Sequence, residues 1–349
     1  MFRLMKENLE SFFPGYFALV MATGALSIGS FLLGKEILAH ILLYVNVLAI
    51  VILWIISLLR LGFFPARFLD DLTSHKRGPG FFTFVAGTSV FGSQLVVVGN
   101  LHSLAFYLWI LSIILWVIIM YTFFFAVTVR KDKPSLSEGI NGAWLIAAVA
   151  TQSVSILGTL LIPYIEHGHQ AVLFFTLCMY FLGCMLYLNI ITLIFYRFTF
   201  LGLKYSALSP PYWVNMGAVA ITTLAGSTLI LHADYWSLLT EITPFLKGFT
   251  LFFWITGTWW IPLLFMLMIW KHFVHRYPLS YEPELWGMVF PLAMYTTSTF
   301  QLSQALDFGA LMFIPRTMVY IAIAAWGLVL FGMFHHIYLK VVIRRRQTL

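Results

Sequence analysis

The sequence predicts an all-α polytopic membrane protein, and three observations lead to this fold class. Hydrophobic residues make up 61% of the 349 residues and charged residues only 9%. The mean hydropathy is +0.92. The apolar runs are longer than barrel strands need and lack their apolar/polar alternation. A soluble core could not bury so much apolar surface, so the runs are predicted to be transmembrane helices.

Ten apolar stretches, separated by charged or turn-rich breaks, are long enough to be spans. They lie near residues 12–33, 37–59, 80–99, 102–128, 141–163, 168–196, 211–232, 245–270, 284–305 and 313–339. Since no linker or charge run divides the chain, residues 1–349 are predicted to form a single transmembrane domain. The first span is expected to be retained, because Glu7 and Glu10 precede it and no A-x-A cleavage pattern follows it.

The basic residues predict the orientation of these spans. Of the 20 lysines and arginines, Lys35, Lys247 and Arg316 fall on one side of the membrane and the other 17 fall on the opposite side. Basic loops are retained in the cytoplasm. Both termini are therefore expected to be cytoplasmic, in a multi-pass protein of the plasma (inner) membrane. The net charge of +7 is interpreted as this topology signal and not as a nucleic-acid-binding surface, because no basic domain stands apart from the spans.

Odd-numbered and even-numbered spans differ in composition. Fifteen-residue windows of the odd spans hold six to eight Gly, Ala, Ser and Thr residues, and windows of the even spans hold one to five. Small residues let helices approach closely, whereas bulky aliphatic and aromatic residues suit lipid tails. The predicted arrangement is therefore five tandem helical hairpins, with an inner ring of odd helices around a central pore.

A weak internal repeat supports five similar hairpins. Each odd span opens with an aromatic residue, namely Tyr16, Phe81, Trp144, Trp213 and Trp286. Seven residues later stand Thr23, Thr88, Thr151, Ala220 and Ala293. An interfacial aromatic belt would explain the aromatic residues alone, but it would not explain the matched small residues.

The segment "WGMVFPLAMYTTSTFQ" (286–301) combines a proline with four consecutive hydroxyl residues. Pro291 has no N–H and frees the carbonyl of Gly287, which is tolerated where a helix borders a water-filled cavity. Ordinary helix packing by Ser and Thr is the alternative. Because the odd spans add glutamines without a carboxylate, a polar and uncharged lumen is predicted. Its expected lining residues are Thr23, Gly24, Thr88, Gln94, Thr151, Gln152, Ala220, Gly287, Pro291 and Thr297.

Three segments resemble a known family: "FFPGYFALVMATGALSI", "GPGFFTFVAGTSVFGSQL" and "ELWGMVFPLAMYTTSTFQLSQAL". They are similar to the first, third and ninth helices of the tellurite-resistance/dicarboxylate transporter family. That family includes tellurite-resistance membrane proteins, fungal malate permeases and sulfite exporters, and the slow anion channels of plant guard cells. The resemblance implies five hairpins around a pore, usually in a homotrimer, and conduction of anions past a phenylalanine of the ninth helix.

By its position in W-G-M-V-F-P, the phenylalanine that the resemblance assigns as the pore gate is Phe290, and Phe300 is the second candidate. Core packing is the alternative role for Phe290. The expected function is channel-like transport of a small inorganic anion or of a four-carbon dicarboxylate such as malate. A proton-coupled dicarboxylate or sulfite carrier of the same fold is the alternative. The expected partners are small anionic solutes and the lipid bilayer.

An intramembrane enzyme is disfavoured by the distribution of ionisable residues. The ten histidines fall near span ends or in loops, and neither H-E-x-x-H nor a paired-carboxylate motif occurs. His335 and His336 could suggest metal or haem, but adjacent side chains diverge by about 100° on a helix. No catalytic residue, metal site or cofactor is therefore expected. A receptor or sensor is also disfavoured, because the loops offer no signalling domain.

Overall fold

The computed structural model describes residues 2–347, with side chains described for residues 6–340. The side chains of Arg3, Arg344, Arg345 and Arg346, which the orientation prediction counts, lie outside this set. The α-helices are α1 (Phe2–Glu10), α2 (Ala18–Leu32), α3 (Glu36–Phe63), α4 (Pro65–Leu72), α5 (Phe82–Gln94), α6 (His102–Val129), α7 (Leu136–Gly139), α8 (Ile146–Leu160), α9 (His169–Phe200), α10 (Val214–Leu231), α11 (Ser237–Glu241), α12 (Thr243–Ile269), α13 (Trp286–Ala305) and α14 (Phe313–Gln347).

Ten of these helices form two concentric rings. The inner helices are α2, α5, α8, α10 and α13; each packs on the next in this order, and α13 packs on α2 to close the ring. The outer helices are α3, α6, α9, α12 and α14. Each packs on the inner helix of its own hairpin and touches the following inner helix. The predicted fold class, with odd helices inside and even helices outside, is confirmed.

Burial follows the difference in composition between the rings. In their apolar windows, α2, α5, α8 and α10 bury between 78% and 94% of their residues, whereas the outer helices bury between 17% and 44%. Small residues on the inner helices allow protein to surround each helix on every side. The bulky residues of the outer helices remain exposed on the perimeter, as expected of a lipid-facing surface.

Within residues 2–347, nine helices are long and apolar enough to cross a membrane. The ninth predicted span, α13, is not among them, although it is 20 residues long. It lies between α2 and α10, with α14 on its outer side. Protein contacts, and not lipid, therefore surround α13, and its hydroxyl and amide side chains are tolerated for that reason. Its passage through the membrane remains a prediction.

Each inner helix is entered through a 3₁₀ turn. The turns are Pro14–Phe17, Gly78–Phe81, Gly142–Leu145, Pro210–Trp213 and Pro283–Leu285. Four of them carry proline at their first or second position, where the missing N–H removes a donor that would have no partner anyway. Because every hairpin returns the chain to the same side, all five inner helices begin at one end of the ring.

A basic residue at the end of four outer helices closes the corresponding hairpin. Arg60, Arg130, Arg197 and Lys271 each donate a hydrogen bond to a backbone carbonyl just before the 3₁₀ turn of the same hairpin. The Lys271 Nζ–Leu208 O distance is 2.6 Å, and the exposed Arg130 bond is longest at 3.5 Å. We call these four residues the hairpin clamps. They give these basic residues a structural role besides their predicted role in membrane orientation.

Candidate functional site

Two small cavities lie inside the ring of inner helices. The first, which we call the mouth cavity, has a volume of about 50 Å³ and lies where the inner helices begin. All five hairpins contribute to it. Its lining residues are Phe13, Gly15, Ala18, Lys76, Gly80, Thr83, Asn141, Ala143, Ile146, Ser209, Pro211, Val214, Glu284 and Gly287.

The second, which we call the distal cavity, has a volume of about 30 Å³ and lies further along the inner helices. Again all five hairpins contribute. Its lining residues are Ile28, Val90, Ser93, Val97, Ser153, Ile156, Leu160, Ile221, Leu224, Thr228, Met294, Thr297 and Gln301. A cavity of this size holds one or two water molecules.

Both cavities use the same face of every inner helix. On α13 the lining residues Gly287, Met294, Thr297 and Gln301 are separated by seven, three and four residues, which is the spacing of one helical stripe. The shared stripe also corrects the register of the sequence repeat. The lining residues align Gly15 of the first hairpin with Pro211 of the fourth and Glu284 of the fifth. The residues equivalent to Tyr16 are therefore Tyr212 and Leu285. The sequence repeat instead aligns Tyr16 with Trp213 and Trp286, one residue later in each hairpin.

Phe290 occupies the same stripe between the two cavities. It follows Gly287 of the mouth cavity by three residues and precedes Met294 of the distal cavity by four, and its side chain is 1% exposed. In the corrected register the equivalent residues on the other inner helices are Met21, Ala86, Val149 and Gly217. Phe290 is the bulkiest residue at this level of the ring.

The other gate candidate, Phe300, lies elsewhere. It is half-buried and immediately precedes Gln301, so its side chain leaves the helix about 100° away from that lining residue. It is absent from the linings of both cavities. The structure therefore does not bring Phe290 and Phe300 together.

Of the three expected lining residues on α13, two line a cavity and the third packs between helices. Gly287 lines the mouth cavity and Thr297 lines the distal cavity. Pro291 packs against α10, where a Cβ added at Gly217 would lie 2.7 Å from the proline Cγ. The missing Cβ at Gly217 thus lets α10 approach the proline closely.

The predicted threonines on the other inner helices bind neighbouring groups. Thr23 accepts a hydrogen bond from the Trp326 indole at 3.0 Å, and Thr151 accepts one from the Trp116 indole at 2.8 Å. Both tryptophans belong to outer helices. Thr88 donates to the carbonyl of Phe84 in its own helix. The repeated threonines at +7 therefore join the two rings in at least two places.

The predicted glutamines and small residues are also engaged between helices. Gln94 accepts a hydrogen bond from Asn46 of α3 at 2.7 Å, and Gln152 donates to a backbone carbonyl of α9 at 3.0 Å. A Cβ added at Gly24 would lie 2.8 Å from Val90, and Ala220 is buried. None of these four residues lines the two cavities.

The hydroxyl run of the ninth span serves several partners. Thr297 donates to the carbonyl of Ala25 on α2 at 3.0 Å, which ties the first and last inner helices together. Thr299 accepts from the Trp254 indole of α12 at 3.0 Å. Thr296 and Ser298 donate to carbonyls of their own helix. Four hydroxyls in a row are thus explained by a helix that packs on protein in several directions.

The distal cavity is more apolar than the predicted polar lumen. Aliphatic side chains and Met294 form most of its wall, and its polar groups are Ser93, Ser153, Thr228, Thr297 and Gln301. Each of the four hydroxyls donates to a backbone carbonyl. Its lining contains no charged residue. Before one of these hydroxyls could donate to a solute in the cavity, it would have to break its hydrogen bond to the backbone carbonyl.

The mouth cavity, in contrast, carries charge. Lys76 and Glu284 both line it. It shares Lys76, Asn141 and Ser209 with a shallow surface basin, which we call the vestibule. The charged residues of the vestibule are Lys76, Arg130, Lys133, Arg197, Asp132 and Glu138. Four cations against two carboxylates make the approach to the mouth electropositive.

His75 in the vestibule responds to this environment. Burial lowers the pKa of His75 below its ordinary value, and the positive charges of Arg130 and Lys133 lower it further. Both effects favour the neutral imidazole, and the positive field of the vestibule comes from the lysines and arginines.

Sequence reasoning missed several lining residues, notably Lys76, Glu284, Ser153 and Thr228. The available signal was the three- and four-residue spacing that runs along α13 through Gly287, Phe290 and Met294. Small-residue content selected the correct helices but could not select the correct face, because these helices are buried on every side.

Comparisons with known proteins agree with this architecture. A family model described as voltage-dependent anion channel matches residues 11–334. An uncharacterized transporter of Methanocaldococcus jannaschii is 24% identical over 341 residues, which cover 95% of both chains. An uncharacterized membrane protein of Mycobacterium tuberculosis is 38% identical over 152 residues, covering 44% of this chain and 77% of the relative.

Proposed function

Because the chain belongs to the voltage-dependent anion channel family, we propose that it conducts small anions along the axis of the inner ring, with Phe290 as the gate. The observation that carries this proposal is the pair of axial cavities, which share one stripe of every inner helix and are separated at the level of Phe290. Two cavities in line are what a closed pore would leave on either side of its obstruction.

Electrostatics favour anions at the mouth. The vestibule has an excess of two positive charges, and all five inner helices begin around the mouth cavity with their N-termini. A helix N-terminus carries partial positive charge from its unpaired N–H groups. The charges of the vestibule and the N–H groups of the helix N-termini attract an anion, but no arginine lining the cavities binds it through two hydrogen bonds. The anion is therefore held weakly enough to leave.

Gating follows from the size of Phe290 and its neighbours. Ala86, Val149 and Gly217 lie at the same level. Rotation of the Phe290 side chain alone would therefore change the local width of the path substantially. An apolar constriction excludes water and ions even without complete steric closure. Displacement of the Phe290 side chain would join the two cavities. Ser153, Thr228 and Thr297 would then offer hydroxyls to the passing anion.

The lining favours a small inorganic anion over a four-carbon dicarboxylate such as malate. Neither cavity contains an arginine, and two carboxylates are best bound by bidentate cationic partners. The cavities of about 30 and 50 Å³ also suit a compact ion. Conduction is expected to follow the anion's electrochemical gradient.

A proton-coupled carrier is the second candidate, and the observation that favours it is Glu284. This carboxyl group lines the mouth cavity and could exchange a proton as an anion passes. Uphill anion transport driven by an imposed pH gradient in sealed liposomes would support the carrier. Transport that ignores the pH gradient would support the channel.

The proposed setting is the inner membrane, with both termini in the cytoplasm and three copies of the chain in a homotrimer, each with its own pore. The exposed apolar side chains of the outer helices provide surface for both lipid and neighbouring copies. Native mass spectrometry of the detergent-purified protein measures the copy number directly.

The function is tested with purified protein in liposomes and an electrical readout, over a panel of chloride, nitrate, sulfite and malate. The expected result is anion current with chloride or nitrate above malate, and no current when potassium is the only permeant ion. Currents equal to those of empty liposomes for every anion, from protein shown to be folded and inserted, would overturn the proposal.

A further inference from the structure

A pocket of about 370 Å³ lies outside the inner ring, between the outer helices α12 and α14. Leu264 and Leu267 of α12 form one wall, and Leu328 and Val329 of α14 form the opposite wall. Leu328 is 72% exposed, so the pocket opens sideways toward the region where lipid tails would lie.

The end of the pocket nearest the basic loops is polar. Lys271 and His272 line it there, together with Ser209, Ser280 and Tyr281. Lys271 uses one donor on the carbonyl of Leu208 and has two more N–H groups. The Tyr281 hydroxyl is buried beside the Trp286 indole, so the ring of Tyr281, and not its hydroxyl, contributes to the pocket wall.

The dimensions fit part of a lipid. From Leu264 to Lys271 the wall rises seven residues, or about 10 Å, which is a large part of one hydrocarbon leaflet. Apolar walls that end in a lysine and a histidine match an acyl chain that ends in an anionic head group. The basic end of the pocket lies on the side predicted to be cytoplasmic.

We propose that this pocket binds an acidic phospholipid of the cytoplasmic leaflet, with its head group at Lys271 and His272 and an acyl chain between α12 and α14. A second copy of the chain is the less suitable occupant, because the pocket is a slot within one chain and not a flat face. The two sites meet at Ser209, which lines both, and at the turn that opens α13: Leu285 and Met288 line the lipid pocket, while Glu284 and Gly287 line the mouth cavity. The bound lipid would therefore support the start of the helix that carries Phe290.

The test is binding, so it does not depend on transport. Detergent-purified protein is titrated with phosphatidylglycerol or phosphatidylcholine of identical acyl chains and examined by native mass spectrometry. One phosphatidylglycerol per chain is expected to be retained about fivefold more strongly than phosphatidylcholine, since a basic residue near a membrane surface favours an acidic lipid by roughly that factor.

A matched pair of variants locates the site. Ala325 lines the pocket, whereas the neighbouring Ala324 is exposed and does not. Ala325→Leu is expected to lower retention at least about fivefold by filling the slot, and Ala324→Leu is expected to retain lipid as the wild type does. His272→Gln keeps the Lys271 clamp and should reduce the preference for phosphatidylglycerol. Equal retention of both lipids, an unaffected Ala325→Leu variant, or equal losses in both alanine variants would overturn the proposal.

Discussion

Glu284 and Lys76 line the same mouth cavity with opposite charges. The equivalents of Glu284 on the other inner helices are Gly15, Gly80, Ala143 and Pro211, so one position of the five carries a carboxylate. Its negative charge opposes the field of the vestibule and the helix N-termini. Single residues at the mouth should therefore set how readily anions enter.

Replacing Glu284 by glutamine is expected to raise anion conductance, because it removes a repulsive charge while keeping the side chain's size. Lys76→Gln should lower conductance. A single partly screened charge near the path is worth about a two- to fivefold change. Single-channel or liposome currents at low and high salt measure this effect, which should shrink as salt rises.

The control for these variants is Glu282→Gln, which removes an exposed carboxylate two residues away that does not line the cavity. Its effect should be smaller than that of Glu284→Gln. Equal effects would assign the change to overall surface charge, and an unchanged current in Glu284→Gln would contradict a role for this residue at the mouth.

At the scale of helices and turns, the hairpin clamps hold four of the five outer helices to the loop that precedes the inner helix of the same hairpin. Arg197 is buried and donates to both the Ile140 carbonyl and the Tyr212 hydroxyl. Hydrogen bonds from a charged donor are stronger than those between neutral groups. The clamps therefore fix four of the five 3₁₀ turns that surround the mouth cavity.

Arg197→Gln is expected to lower the free energy of unfolding by about 1.5–3 kcal/mol, because two hydrogen bonds to a charged group are lost and a buried carbonyl is left without its donor. Thermal unfolding in detergent measures the change. Lys204→Gln, at an exposed position, should stay within about 0.5 kcal/mol of the wild type. Equal stability of all three proteins would contradict the clamp.

The turns themselves are tightly packed at Gly142. A Cβ added there would lie 2.3 Å from the backbone oxygen of Pro211, whereas one added at Gly248 would meet nothing within 4 Å. Gly142→Ala should therefore destabilise the protein by about 1–3 kcal/mol through overpacking. Gly248→Ala, inside α12, should be neutral or slightly stabilising. A Gly142→Ala variant that melts at the wild-type temperature would show that the turn at Gly142 can move away from the turn at Pro211 at no cost in stability.

The helices and their alternation between rings follow from composition, because lipid and protein neighbours require different side chains. Composition does not decide whether the hydroxyl run of α13 packs against protein or lines a polar lumen. The face of each inner helix does not follow from composition. Thr23 and Thr151 looked like lumen residues, yet their partners are tryptophans of outer helices, and no local property of a threonine distinguishes these partners from water. Phe290 lies on the lining stripe because of its spacing from Gly287 and Met294.

At the scale of the whole molecule, five hairpins close a ring whose inner helices all begin at one end. Closure depends on contacts between α2 and α13, which are far apart in sequence, and the Thr297–Ala25 hydrogen bond joins them. The end at which the inner helices begin also carries the hairpin clamps and the vestibule. The orientation of this end toward the cytoplasm remains a prediction from the basic residues.

Cysteine labelling tests that orientation. In a background in which Cys178 and Cys184 are replaced by serine, Ser135→Cys lies in the loop predicted to be cytoplasmic and His167→Cys in a loop on the opposite side. A membrane-impermeant maleimide added to intact cells should label His167→Cys, and it should label Ser135→Cys only after lysis. The reverse pattern would place the basic end outside the cell.

Phe290 is proposed to close an anion path along the axis of the five inner helices. The most direct measurement is anion current in voltage-clamped bilayers for Phe290→Ala, with Phe300→Ala as the control from the same helix and equal amounts of inserted protein. Loss of the Phe290 phenyl group should raise the anion current of Phe290→Ala by at least about tenfold, which corresponds to a barrier lowered by about 1.4 kcal/mol. The current of Phe300→Ala should stay near that of the wild type. A Phe290→Ala variant that is folded, inserted and no more conductive than the wild type would show that Phe290 does not close the path.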